Sequence, residues 1–281
     1  MLIKKPDDIR QSEIAGEGLY ALCRGLLRWT GLAGLVLAAP SLWLPSIAQA
    51  ESLKFSSGGE QVTLIELFTS EGCSSCPPAE AWLSSLKTDP RLWEEIVPVA
   101  FHVDYWDYLG WKDSFSSPAH SQRQRRYQSE GGIRSVYTPG FVINGREWRG
   151  WIRQQDPVIV EKPAGRLDLT LEGSSVTAHY VEQDGGQGGY TLNLAVLAFD
   201  VRSKVTSGEN SGRYLHQDFA VIGHKAVQSD AGRWDTSLPR SNTNAVQRYG
   251  LAAWVSHEGS LAPLQAVGGW IPASVVGDKQ P

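Results

Sequence analysis

The chain has 281 residues, of which 41% are hydrophobic, and its formal net charge is −4. This balance is typical of a globular protein, and it lacks the basic field that nucleic-acid binding requires, so we expect no nucleic-acid partner. The length is enough for two modest domains after removal of an export signal.

The N-terminal segment, residues 1–50, has the pattern of a secretory signal peptide. Arg24 and Arg28 precede an uncharged stretch from Trp29 to Leu44, and Ala48-Gln49-Ala50 then gives an A-x-A ending. The apolar run is shorter than the ~20 residues that a membrane-spanning helix needs. We therefore expect cleavage after Ala50, a periplasmic or secreted protein and no membrane span in the mature chain. An uncleaved anchor is the alternative.

Cleavage of the predicted signal peptide would change the number of cysteines in the protein. It would remove Cys23 and leave two cysteines, Cys73 and Cys76, in one C-x-x-C motif. Exported proteins normally use cysteines for structural disulfides, but this motif closes too small a loop to restrict the unfolded chain much. Redox or metal chemistry is therefore favoured, with an inert pair as the remaining alternative. Structural metal sites usually need four ligands, often from two such pairs, which favours redox chemistry here.

The first predicted elements form a β-α-β unit. Residues 51–61 are polar and rich in Gly and Ser, and they predict a linker. The apolar run Val62–Phe68 predicts a strand, and Pro77-Pro78 suits the first turn of a helix that Asp89-Pro90 ends. Val97–Val103 predicts a second strand, which would run parallel to the first through a right-handed crossover.

This unit places Cys73 at the amino end of the predicted helix. Free backbone N–H groups and the helix dipole stabilise a thiolate there, and the thiolate is the attacking species in disulfide exchange. Cys76 lies about one turn further on, which suits a resolving thiol. The Ser74 and Ser75 hydroxyls can donate hydrogen bonds to the thiolate, whereas the Glu71 carboxylate disfavours it.

A loop dense in aromatic and acidic residues follows the second strand. We expect Tyr105, Trp106 and Trp111 to line a substrate groove, with simple packing of the loop as the alternative.

Ser117-Pro118 then predicts the start of a second helix, which Gly131-Gly132 ends.

The last part of the chain predicts β-structure. Asn144-Gly145 indicates a hairpin turn, and from Arg166 onwards short strand-like runs alternate with Gly- and Ser-rich connections. This pattern predicts an all-β, sandwich-like domain, which we place at residues 164–281. The runs are Arg166–Leu171, Ser175–Val181, Tyr190–Val201, Phe219–Gly223, Leu251–Ser256 and Leu264–Val267.

The order strand, C-x-x-C and helix, with Thr138-Pro139 about 60 residues later, resembles the thioredoxin superfamily. The resemblance implies an α/β fold at residues 62–163, a thioredoxin-like domain with a central mixed sheet and flanking helices. In that superfamily the proline is cis and faces the cysteine pair, and the residue before it pairs through its backbone with the substrate. Pro139 and Thr138 occupy these positions here, and an ordinary trans turn proline is the alternative.

Several longer stretches are similar to a bacterial family of secreted thioredoxin-like proteins of unassigned function. The similarity extends over about residues 62–275, which is most of the mature chain. The stretches that carry it are Glu66–Ala79, Phe101–Asp107, Thr138-Pro139, Asn144-Gly145 and Gly208–Arg213.

The resemblance also implies a role for Glu66. Thioredoxins keep a buried acid on the matching strand, where it relays a proton to the second cysteine, here Cys76. A carboxylate at the sheet edge pointing into solvent is the alternative. Ser74-Ser75 replaces the Gly-Pro of thioredoxin, so the direction of electron flow does not transfer.

The sequence therefore predicts an exported thiol–disulfide oxidoreductase with no cofactor besides its redox-active disulfide. Its partners would be a protein or small thiol or disulfide substrate and a redox partner that the sequence does not identify. One alternative is a periplasmic copper chaperone that uses both cysteines with His102, although that histidine also fits a satisfied position at a strand end. A non-catalytic binding protein on a thioredoxin fold is the other alternative. The predicted catalytic residues are Cys73, Cys76, Glu66, Thr138 and Pro139.

Overall fold

The computed structural model describes most of the chain after the predicted signal peptide, namely residues 52–157, 159, 162–183, 185, 188–241 and 246–276. The predicted signal peptide and Cys23 lie outside the described residues. Among the residues that are described, no helix has the length and apolar character needed to cross a membrane.

The described chain consists mainly of β-strands. In chain order these are β1 (Leu53–Ser56), β2 (Thr63–Thr69), β3 (Ile96–His102), β4 (Gly140–Ile143), β5 (Arg146–Trp148), β6 (Arg166–Glu172), β7 (Ser175–Val181), β8 (Tyr190–Phe199), β9 (Val201–Lys204), β10 (Tyr214–Gln217), β11 (Ala220–Ser229), β12 (Arg233–Ser237), β13 (Arg248–His257) and β14 (Pro263–Ile271). The α-helices are α1 (Pro77–Ser85), α2 (Pro118–Ser129) and the single turn α3 (Ala273–Val276). Short 3-10 turns occupy Leu86–Thr88, Asp107–Leu109 and Gly150–Arg153.

The largest sheet has eight strands in the order β14-β13-β8-β11-β3-β2-β4-β5. Strands β2 and β3 are parallel, from the pair Thr63–Ile96 to the pair Thr69–His102, and β11 continues the parallel arrangement beside β3 at Ala220–Ala100. The other neighbours in this sheet are antiparallel. A four-stranded antiparallel sheet has the order β1-β6-β7-β12, and β9 pairs with β10 in a two-stranded ribbon.

The predicted fold class is wrong. We expect from the sequence a thioredoxin-like α/β domain with flanking helices, followed by a sandwich-like domain, whereas the described chain is mostly β, with large multi-stranded sheets and few helices. One eight-stranded sheet contains strands from before and after residue 163. Strand β3 would otherwise leave unpaired N–H and C=O groups at an open edge, and β11 pairs with that edge. Alternation of apolar and polar residues identifies a strand but not the strand with which it pairs. The sequence pattern therefore did not reveal that the sheet continues from β3 to β11.

The central strands of the large sheet are buried on both faces. Successive side chains of a strand point to opposite sides, and along β8 the side chains of Ala195 and Leu197 join one core while those of Leu194 and Val196 join the other. The first core includes buried residues of α1 and α2, which pack against opposite faces of β2, and the second includes residues of the four-stranded sheet. The four-stranded sheet therefore covers one face of the sheet that carries β2 and β3.

Several local predictions are confirmed. Helix α2 begins at Pro118, and the Ser117 Oγ caps it by accepting the Ala119 N–H at 3.3 Å. Between β4 and β5, Asn144 and Gly145 have φ values of 45° and 86°, the two positive values that a two-residue hairpin turn of this kind requires.

Three strands lie where the sequence predicts none. Strands β1, β10 and β12 have only four or five residues each, too few for alternation to be distinctive. Strand β1 lies within the predicted linker and pairs with β6 from Leu53–Leu171 to Ser56–Asp168.

Candidate functional site

Cys73 and Cys76 form a disulfide in the loop between β2 and α1, with 5.4 Å between their Cα atoms. Both residues are buried, whereas the two serines between them are exposed. Cys76 is the N-cap of α1 and its N–H donates to the Cys73 carbonyl at 3.2 Å, so Cys73 lies in the turn that leads into the helix. The Ser75 hydroxyl oxygen lies 3.3 Å from the Cys73 sulfur, close enough to hydrogen-bond to it.

The loop is braced by residues from the second half of the chain. The side-chain amide of the fully buried Asn210 donates to the carbonyl oxygens of Glu71 and Cys73, both at 2.9 Å. The neighbouring Glu209 carboxylate accepts the Ser74 N–H at 3.0 Å. Neither residue has a role that the sequence predicts, although both lie in the Gly208–Arg213 stretch that carries part of the family resemblance.

The Thr138–Pro139 peptide bond is cis, and Pro139 is buried. Trp106 connects this segment to the disulfide loop. Its indole N–H donates to the Thr138 hydroxyl at 2.8 Å, and its Cβ lies 3.0 Å from the position that a Cβ on Gly72 would occupy. A side chain at residue 72 would therefore push against Trp106, which explains the glycine immediately before Cys73.

The three aromatic residues of the predicted groove are half-buried, and their polar atoms bond within the protein. Besides the Trp106 bond, the Tyr105 hydroxyl donates to the Gln124 side-chain oxygen at 3.0 Å. The Trp111 indole N–H donates to the Glu71 carboxylate at 2.9 Å. The rings therefore pack the loop beside the disulfide, and their contact with a substrate stays a prediction. Tyr108, which sequence reasoning did not single out, is 78% exposed in the same loop.

Glu66 is fully buried, so the alternative of a solvent-facing carboxylate is wrong. It pairs with Arg123 of α2 at 2.6 Å, and its other oxygen accepts the Tyr127 hydroxyl. Thr69, three residues further along β2, points to the opposite face of the sheet and bonds to Glu80 of α1. The sheet therefore separates the Glu66 carboxylate from the helix that begins at Cys76.

Arg123 is the buried partner that sequence reasoning missed, since three arginines within four positions of a helix are typical of a solvated face. Only 7% of the residue is exposed, and its guanidinium lies 5.2 to 5.3 Å from the ring centroids of Phe101, Tyr127 and Trp254. Burial, together with the Glu66 carboxylate, raises the pKa of Tyr127 well above its ordinary value. The phenol therefore stays protonated and donates to Glu66.

A buried acid–base cluster occupies the α1 side of β2 and β3. His102 Nδ1 lies 2.7 Å from the Asp113 carboxylate, and both side chains are fully buried. Desolvation lowers the pKa of His102, but Asp113, Glu80 and Glu71 together raise it to about 9. Desolvation tends to raise the pKa of Asp113, yet its ion pair and hydrogen bond with His102 hold it below the ordinary value. The pair is therefore ionic at neutral pH.

Glu80 is the other titratable member of this cluster. It lies in the first turn of α1, its N–H donates to the Cys76 carbonyl at 3.1 Å, and its carboxylate accepts the Thr69 hydroxyl at 2.7 Å. Burial raises the pKa of Glu80 to about 7. Glu80 lies beside Ala79 and Leu83 on the buried face of α1, and this position in the sequence could have indicated that it is buried.

The copper alternative would use His102, whose two ring nitrogens are both buried. His102 Nδ1 is bonded to Asp113, while Nε2 is buried and has no partner among the described residues. Metals bind neutral imidazole, whereas His102 is charged below about pH 9. Within the described ranges, no group of three or more His, Cys, Asp or Glu side chains has a geometry that would hold a metal ion.

The fold and the site together define a class of mostly β proteins that carry a buried C-x-x-C disulfide at the start of a helix. A family model described as a protein of unknown function, DUF1223, matches residues 64–256, and the chain belongs to this family.

Two solved structures are similar to the chain. One is protein AGR_C_4864 from Agrobacterium tumefaciens, with 23% identity, a TM-score of 0.53 and coverage of 79% of this chain and 97% of that one. The other is HBP35 of Porphyromonas gingivalis, with 15% identity, a TM-score of 0.54 and coverage of 80% of each chain. At these identities the likeness concerns the fold alone. No curated protein matches the chain.

Proposed function

We propose that this protein is an exported thiol–disulfide oxidoreductase whose reactive group is the Cys73–Cys76 pair. The observation that carries the proposal is the disulfide itself. It joins residues three apart, so it restricts the unfolded chain little. It also lies at the amino end of α1, where a thiolate is stabilised. The cis Thr138–Pro139 peptide supports a distant relationship of this site, rather than of the whole fold, to the thioredoxin superfamily.

The exchange reaction needs only the two sulfurs and a proton acceptor. In the reduced protein, the Cys73 thiolate attacks one sulfur of a substrate disulfide, which breaks the substrate S–S bond and releases one substrate thiolate. Cys76 then loses its proton and attacks the Cys73 sulfur of the mixed disulfide, releasing the second substrate thiolate. The pair loses two electrons and the substrate gains them, and the two released thiolates take up protons. The same steps in reverse oxidise a dithiol substrate.

Glu80, rather than Glu66, is the proposed acceptor for the Cys76 proton. It lies on the face of β2 that α1 covers, one turn beyond Cys76, whereas Glu66 lies on the opposite face in an ion pair. A carboxyl group with a pKa of about 7 is present in both forms at neutral pH, which suits proton transfer in both directions.

The proposal is tested by equilibrating the protein with glutathione buffers and measuring the fraction of reduced pair. We expect reversible two-electron behaviour with a potential between about −270 and −120 mV, the range from thioredoxin to the strongest periplasmic oxidant. A potential below about −300 mV is typical of structural disulfides and would contradict the proposal.

The Glu80→Gln variant is expected to lose the pH dependence near pH 7 of the resolving step. In the wild type, the decay of the mixed disulfide should accelerate as pH rises through about 7, because Glu80 becomes the anion that accepts the proton. Rapid-mixing kinetics of a preformed mixed disulfide measure this step. Glu172→Gln, an exposed change on β6, is the control and should retain the wild-type profile. An unchanged profile in Glu80→Gln would remove Glu80 from the mechanism.

Glu80 should also affect stability, with a defined sign. Its pKa is higher in the folded state than the ordinary 4.5, so the native state holds this proton more tightly. The free energy of unfolding therefore contains a contribution that is fully present below about pH 4.5 and is lost as pH rises to about 7, by roughly 3 kcal/mol. Urea titrations at several pH values should show this decrease in the wild type relative to Glu80→Gln.

A further inference from the structure

The segment between β9 and β10 forms part of the disulfide site although it is about 135 residues away in sequence from Ser74. Asn210 in this segment is fully buried. Its Oδ1 accepts a hydrogen bond from Arg213 at 2.7 Å, and its Nδ2 donates to the carbonyls of Glu71 and Cys73. Three bonds therefore fix the orientation of this amide, and Asn210 ties its own segment to the backbone of the C-x-x-C loop.

The hydrogen bonds of Asn210 hold the neighbouring Glu209 beside the C-x-x-C loop. Its side chain is exposed, and its carboxylate accepts the N–H of Ser74, the residue that directly follows Cys73. Hydrogen bonds from the Ser74 side chain and from the Ser74 N–H lower the pKa of Glu209 below its ordinary value, so the group is an anion at neutral pH. The Ser74 N–H is one of the amides near the amino end of α1, a region whose positive potential would otherwise favour a thiolate.

We propose that the Glu209 carboxylate, positioned by Asn210, lowers the thiolate fraction of Cys73 and thereby limits how readily the reduced pair attacks a disulfide. The consequence for exchange rests on the proposed function. A dithiol reductant gives two electrons and two protons to the Cys73–Cys76 disulfide and becomes a disulfide itself, and the Cys73 thiol then loses a proton to solvent to become the nucleophile. Glu209 acts on this last ionisation, because a nearby anion disfavours a second negative charge. Glu209 is therefore a positioning and tuning residue that does not itself touch the reacting sulfur.

Other charges also surround the pair. Glu71 precedes the loop, Glu80 follows it in α1, His102 and Asp113 form the buried ion pair, and Arg213 adjoins Asn210. A Glu209→Gln substitution leaves all of these in place. It also retains a side-chain oxygen that can accept the Ser74 N–H, so it removes the charge with little change in geometry.

The experiment uses the full chain with Cys76→Ala, so that Cys73 is the only thiol of the pair, and it compares three proteins. These are this parent, the parent with Glu209→Gln and the parent with the exposed control Glu172→Gln. The rate of alkylation of Cys73 is followed against pH by peptide mass spectrometry, which gives the pH at which half of the thiol is ionised. We expect Glu209→Gln to lower this pH by about 0.5 unit, which is about a threefold rise in thiolate below it. In the Glu172→Gln control, the pH at which half of the thiol is ionised should be unchanged.

Two further measurements distinguish a charge effect from a change in structure. The difference between the parent and Glu209→Gln should shrink as salt rises from about 0.01 to 1 M, because the Glu209 charge is exposed and screened. In an Asn210→Ala background, Glu209→Gln should have a smaller effect, because the carboxylate is no longer held at Ser74. An unchanged ionisation pH in Glu209→Gln, or a difference that salt does not alter, would overturn the inference. Alkylation needs no disulfide substrate, so a failure of the proposed function would leave this result interpretable.

Discussion

Cys73→Ala is expected to reduce disulfide exchange by the protein to the rate of the uncatalysed reaction. The substitution removes the sulfur that the proposal assigns as the nucleophile. Cys76 is assigned the resolving step, because it is the N-cap of α1, whereas Cys73 lies in the preceding turn beside the exposed Ser74 and Ser75. The reduction of insulin or of a model peptide disulfide by the reduced protein measures the effect. Cys76→Ala should instead keep the first step and lose the second, so mixed disulfides should accumulate on a non-reducing gel.

Ser75→Ala is the matched control for both cysteine variants. It lies between them in the same loop and removes only a hydroxyl from the Cys73 sulfur, so exchange should continue at a measurable rate. Wild-type activity in Cys73→Ala would rule out the proposed nucleophile. An absence of trapped species with Cys76→Ala would argue against its role in the resolving step.

Arg123→Met is expected to destabilise the fold by about 3–5 kcal/mol, because it leaves the Glu66 carboxylate buried without its counterion. Methionine keeps much of the side-chain length, so the loss is mainly of charge and not of volume. Urea denaturation at neutral pH measures the free energy of unfolding. The neighbouring Arg125 is exposed on the same helix, and Arg125→Met should change the stability by less than about 0.5 kcal/mol.

Combining Arg123→Met with Glu66→Gln should recover a large part of the lost stability. The neutral amide no longer needs a counterion and can still accept the Tyr127 hydroxyl. A cost below about 1 kcal/mol for Arg123→Met alone, or no recovery in the double variant, would show that the ion pair contributes little to the fold.

The sequence predicted most of the local structure. The strand that became β2, the capped start of α2 and the Asn144-Gly145 turn each depend on neighbouring residues, so local patterns were sufficient. The pairing of β3 with β11 depends instead on contacts between residues 120 positions apart, Ala100 and Ala220, which no local pattern encodes. The predicted fold class was wrong for this reason.

In the candidate site too, local features were predicted from the sequence and contacts between distant residues were not. The position of the cysteine pair before a helix and the segment that contains Thr138-Pro139 were found from motifs. The resemblance implied that Glu66 is buried, but it did not reveal the ion pair with Arg123, because nothing in the sequence marks that arginine as buried. Glu80 was missed for a different reason. Its buried position follows from the apolar face of α1, but a glutamate in a first helical turn usually serves the helix dipole.

Because Ala100 and Ala220 lie 120 positions apart in the sequence, a long loop must close before β3 and β11 can pair, and we expect the eight-stranded sheet to be completed after its locally paired strands. In a chain made from its N-terminus, Cys73 and Cys76 emerge well before β11 and Asn210. The cysteine loop is therefore synthesised before the residues that brace it, and truncation before residue 210 would leave both the open edge of β3 and the backbone carbonyls of the loop without their partners.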